Sequence, residues 1–229
     1  MRALDRFRTE RFAVLYRWVL VLVVTGVEVA VLGVWLALFD GADPLSRSVG
    51  VGVVVLLVGL QVSQFLTDLA VNGTAVGFPL GGTLAVSVSE TVLWVGWFAV
   101  VTALGGLRGA FVGGVAFAVA LAVQHTVETN ALRGAPLTER LFDPQTVGYS
   151  LLTATAAGVW FALNTRVEGA EPAVDLVSSV GLAPATVGGV VLATGLLVEH
   201  AMGVVVARRE RDEARTPARR GYRSGTRAR

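Results

Sequence analysis

Six apolar runs, at 12–39, 48–71, 83–104, 109–132, 145–165 and 184–207, leave this chain few ways to fold. Each is close to the roughly 20 residues that a helix needs to cross a hydrocarbon core about 30 Å thick. In that core every backbone N–H and C=O must be satisfied within the segment, which a helix does and an isolated strand does not. With 54% of its residues hydrophobic and 16% charged, the chain is also too apolar for an ordinary water-soluble core. The expected fold is all-α: a polytopic integral membrane protein whose residues 1–207 form one six-helix transmembrane domain. The first run is too long for a signal-peptide core and has no small-residue cleavage site after it, so it is expected to remain as a span. Between the runs lie residues that favour turns, among them Asp40 to Pro44, Asn72-Gly73, Gly105-Gly106, Asp143-Pro144 and Gly169 to Pro172.

Arginine distribution predicts the orientation. Six spans put both ends of the chain on one side, and all 19 basic residues are arginine. The terminal side collects Arg2, Arg6, Arg8 and Arg11, then Arg133 and Arg140, then every arginine from Arg208 to Arg229; the other side has only Arg47, Arg108 and Arg166. The positive-inside rule therefore predicts cytoplasmic N- and C-termini in a multi-pass protein of the cell membrane. Residues 208–229 lose the apolar pattern and are expected to form a disordered Arg-rich tail against anionic lipid headgroups. A nucleic-acid partner is not expected, because a basic juxtamembrane tail is usually an orientation and lipid signal. Small-residue lines such as Gly195, Glu199 and Gly203 suit close helix packing and are compatible with a homodimer.

Against this apolar background the ionisable residues inside the runs stand out: Glu28, Asp68, Glu90, His125, Glu128, Glu199 and His200. Burying such groups in a bilayer costs several kcal/mol each unless they are paired, protonated or metal-bound. Counted at about 1.5 Å per residue, all but Glu28 fall in one slab of the terminal half, with Glu28 two to three turns nearer the membrane centre. His125 and Glu128 share a helix face, as do Gln61, Gln64 and Asp68. Asp68 and Glu128 are close enough to the interface to reach water, and Arg17 is the one arginine inside a run.

Two chemistries use such a set. Intramembrane carboxylates alternating with His suit a proton relay or a cation pathway, with Glu28 extending the route across the bilayer. Alternatively, His125, Glu128, Glu199 and His200 could ligate a divalent metal (Zn, Fe or Mn) in a membrane-embedded metalloenzyme, as in di-metal helix bundles or zinc sites. The spacing matches no such motif: His125 precedes Glu128, reversing the Glu-x-x-His order, and the adjacent Glu199 and His200 leave their helix about 100° apart. The two histidines could instead ligate a haem iron, with no attachment motif in support. A third expectation is a structural or partner-binding membrane subunit in which the polar residues only fix helix packing. The chain has no cysteine, no Gly-x-Ser-x-Gly elbow and no His-Glu-x-x-His, which excludes thiolate sites and the commonest hydrolase signatures. Trp94, Trp97, Trp160 and Phe161 read as packing or interfacial anchors.

Overall fold

A computed structural model describes the backbone of residues 2–72, 80–133, 136–165 and 167–224, and the side chains of 12–71, 81–130, 136–165 and 167–206. Seven helices follow in order: α1 (Arg2–Phe39), α2 (Arg47–Asn72), α3 (Leu80–Leu104), α4 (Gly106–Arg133), α5 (Pro144–Thr165), α6 (Glu171–Ser179) and α7 (Pro184–Ser224). Helix accounts for 87% of the structure, and no strand occurs among the described residues. Six of the helices, all but α6, are long and apolar enough to cross a membrane, over Phe12–Phe39, Arg47–Val71, Gly81–Leu104, Gly106–Asn130, Pro144–Thr165 and Pro184–Val206. The six expected spans are therefore present.

The helices form a closed ring. Each span packs on the next in sequence, and α7 closes the circuit by packing on both α5 and α1. Short connections enforce this order. Between α3 and α4 the chain turns through Gly105 (φ 63°) and Gly106 (φ 55°), a left-handed pair that side chains rarely adopt. Just beyond, a Cβ on Gly109 would lie 2.4 Å from the Val101 carbonyl oxygen, so the two backbones touch where they part. At the other end, Asp143 precedes Pro144 and accepts the Gln145 N–H (2.9 Å), a helix start made of an acidic cap and a proline whose missing N–H costs nothing there. Asn130 ties the α4–α5 connection by donating to the carbonyls of Leu137 (3.1 Å) and Glu139 (2.6 Å).

Two elements differ from expectation. Helix α6 lies in what sequence marks only as a turn; Pro172 sits in its first turn and none of its residues is buried. Helix α7 runs to Ser224, well past its apolar segment, where a disordered tail is expected from 208. Before Pro217 the sequence is rich in Arg, Glu and Ala, all good helix formers, and sets Arg208 four residues before Asp212 and Arg209 four before Glu213, spacings that support helix. Residues 225–229 and Asn72-Gly73's continuation, 73–79, lie outside the described residues.

Candidate functional site: a polar layer across the ring

The face of the bundle where α1 begins and α7 ends is called here the terminal face, the opposite one the far face. Each span turns a stripe of residues three or four apart into the ring, and the stripes change character with depth. On α1 the stripe reads Val21, Thr25, Glu28, Leu32, Trp35 and Phe39, all buried. Thr25 and Glu28 thus belong to one layer, and Trp35 and Phe39 to another nearer the far face.

Two histidine–carboxylate pairs build the polar layer. His200 Nε2 on α7 approaches Glu28 Oε2 on α1 to 2.9 Å, and His125 Nε2 on α4 approaches Glu199 Oε1 on α7 to 3.1 Å. Among the described residues no donor is aligned for a hydrogen bond to Glu28 Oε2; the imidazole is its polar neighbour, and the contact is an ion pair when His200 is protonated. Each imidazole uses its other nitrogen on a hydroxyl: His200 Nδ1 lies 3.1 Å from Thr25 Oγ1, and His125 Nδ1 lies 3.0 Å from Ser150 Oγ. The second oxygen of Glu199 accepts the Thr153 hydroxyl. Glu199 and His200 are neighbours on α7 but turn to different helices, His200 to α1 and Glu199 to α4 and α5, so all four helices contribute.

The remaining candidates surround this core. Glu90 accepts from Gln64 Nε2 at 3.4 Å and lies within electrostatic reach of Glu28, Glu199, His125 and Glu128. Glu128 is half-buried and in electrostatic reach of His125 and Glu199. Asp68 is half-buried one turn closer to the terminal face than Gln64, and it has interactions of its own, as has Arg17. Toward the terminal face the α4–α5 seam stays polar, with Thr126 Oγ1 and Thr146 Oγ1 buried 2.9 Å apart and Asn130 beyond them.

Depth counting misplaces Glu28. It stands in direct contact with His200 rather than two to three turns above the layer; a count of residues from each helix end assumes untilted spans that start at one level. Sequence reasoning also passes over Thr25, Ser150 and Thr153. Their signal is legible in retrospect: Thr25 lies three residues before Glu28, and Thr146, Ser150 and Thr153 form a polar stripe on α5 at helical spacing.

The expected metal quartet of His125, Glu128, Glu199 and His200 does not form a ligand set. Among the described residues no three His, Asp or Glu side chains are grouped to hold a metal ion. The reason is geometric: Glu199 and His200 diverge to different helices, and each imidazole already has a carboxylate at Nε2 and a hydroxyl at Nδ1, so no lone pairs converge on a common point.

No protein-family model, curated protein or solved structure matches the chain.

Proposed function

We propose that this membrane protein conducts protons, with the polar layer as its loading and relay station. One observation carries the reading: carboxylate, imidazole and hydroxyl groups meet in two short series that leave adjacent positions of α7, Glu28 to His200 to Thr25 and Glu199 to His125 to Ser150. An imidazole can accept a proton at one ring nitrogen and release it from the other, and carboxylates and hydroxyls exchange protons on either side of it. In the second series Glu199 would exchange with His125 Nε2 while Nδ1 exchanges with Ser150, and the polar α4–α5 seam would connect the layer to the terminal face. On the positive-inside rule that face is cytoplasmic.

A second reading has an observation of its own: the pairs tie α7 to α1 and to α4, so they also close the ring. Flux decides between the two. Purified protein in liposomes carrying an internal pH dye is expected to acidify or alkalinise the lumen under an imposed potential, and Glu28→Gln and Glu199→Gln are each expected to abolish this while the protein still folds, since an amide keeps the shape but does not exchange a proton. Wild-type protein without proton flux would remove the conduction reading. Flux of Na⁺ or K⁺ with no proton movement would replace its cargo.

A further inference from the structure

Beyond the polar layer, toward the far face, the ring is plugged by aromatic side chains. Trp35 and Phe39 of α1, Trp94, Trp97 and Phe98 of α3, Phe117 of α4 and Phe161 of α5 pack edge to face, tilted or stacked, with ring centroids 4.8 to 6.1 Å apart. Trp35 stands seven residues beyond Glu28, so the plug begins about 10 Å past the polar layer. A proton leaving Glu28 or His200 for the far face meets it.

Two atoms in this plug have no structural explanation. The indole N–H groups of Trp35 (0% exposed) and Trp97 (4% exposed) are buried without a hydrogen-bond partner, and they are the two buried side-chain donors left unpaired among the described residues. A buried tryptophan normally finds a partner for its N–H, and leaving one unmade costs about 1–3 kcal/mol. Phenylalanine fills such positions without that cost, and it does so nearby at Phe98, Phe117 and Phe161. The two indoles therefore call for an acceptor that the protein itself does not provide.

We propose that the indole N–H groups of Trp35 and Trp97 each hold a water inside the aromatic plug, and that water there bridges the polar layer to the far face and carries the proton onward. Ring spacing limits the ligand to something small. The N–H groups can only donate, so the ligand must be an acceptor, which suits the oxygen of water. The site rests on the conduction reading and gives it a way past the plug.

The test uses protein labelled with ¹⁵N-tryptophan in lipid nanodiscs. With only five tryptophans, the Trp35 and Trp97 indole signals are assigned by their loss in Trp35→Phe and Trp97→Phe. Both indole protons are expected to exchange with solvent faster than backbone amides in the same turns of α1 and α3. Each Phe variant is expected to fold and to lower proton flux about tenfold, the order of one net hydrogen bond. Indole protons as protected as the neighbouring amides would overturn the site, and so would full wild-type flux in the double Phe variant. Fast exchange in a wild-type protein that conducts nothing would instead leave the hydration site standing and remove the conduction reading.

Discussion

The polar layer and the aromatic plug are consecutive turns of the same helices, yet they are held by opposite means. In the polar layer each group depends on one named partner, Glu28 on His200 and Glu199 on His125 and Thr153. In the plug no pair is indispensable; many ring contacts share the load, and the polar atoms are what is left over. Apolar side chains gain nothing from leaving lipid for a protein interior as they do on leaving water, so packing and polar pairing are the two devices that hold membrane helices together. This molecule assigns one to each layer. The polar layer should then be fragile to chemistry and the plug fragile to volume.

The largest expected effect comes from breaking one pair. Glu28→Ala or His200→Ala leaves the other member buried without its partner and should cost about 3–5 kcal/mol, whereas replacing both by leucine should be close to neutral. Unfolding titrations in mixed micelles measure the difference. A double variant as unstable as the singles would mean that the residues matter separately and not as a pair.

Next is volume in the plug. Trp94→Ala removes the ring at its centre, where Trp35, Trp97 and Phe117 all meet it, and should cost about 3 kcal/mol or more. The converse test is crowding. A Cβ on Gly59 would sit 2.3 Å from Val31 Cγ2, and one on Gly195 would sit 2.6 Å from the Ala156 Cβ, so alanine at either should destabilise by about 1–3 kcal/mol. Gly96→Ala and Gly203→Ala meet nothing within 4 Å and should be neutral or mildly stabilising. Equal costs at all four glycines would show that the close approaches of α1 to α2 and of α5 to α7 are not what holds the ring.

How much of this could be read in the sequence follows from range. The six spans are legible because length and hydropathy are local properties, and the apolar runs coincide with the membrane-length segments of the helices to within a few residues. Glu28, Glu199, His125 and His200 are legible as candidates because an ionisable group in an apolar run is conspicuous by itself. Their pairing is not, since it depends on helix shift and tilt; the Glu28–His200 contact spans most of the chain. Thr25, Ser150 and Thr153 escape notice because a hydroxyl in a span is unremarkable until its partner is known. Helix α6 is missed because nine residues with two acidic side chains resemble a loop by composition. Of the small-residue line on α7, Gly195 meets α5 while Gly203 meets nothing, a distinction that spacing alone does not contain.

The smallest expected stability effect is the most informative about the polar layer. Thr153 donates its hydroxyl to Glu199, so Thr153→Val keeps the shape of the side chain and removes one of the two groups that hold the carboxylate. Interhelical hydrogen bonds of this kind are worth about 0.6 kcal/mol on average and rarely more than about 1.7, so the protein should fold with little loss. His125 remains opposite Glu199, and no buried charge is stranded. Proton flux should nevertheless fall by several-fold, because Glu199 is then free to turn away from His125 and the series from α7 to α4 is interrupted. Thr102→Val is the control: that hydroxyl is exposed and bonds only to carbonyls of its own helix, so neither stability nor flux should move. If Thr153→Val costs as much stability as Glu28→Ala, the polar layer is a rigid scaffold in which every bond counts equally. A small stability loss with a large flux loss means that positioning of Glu199, rather than helix pairing, is what Thr153 contributes.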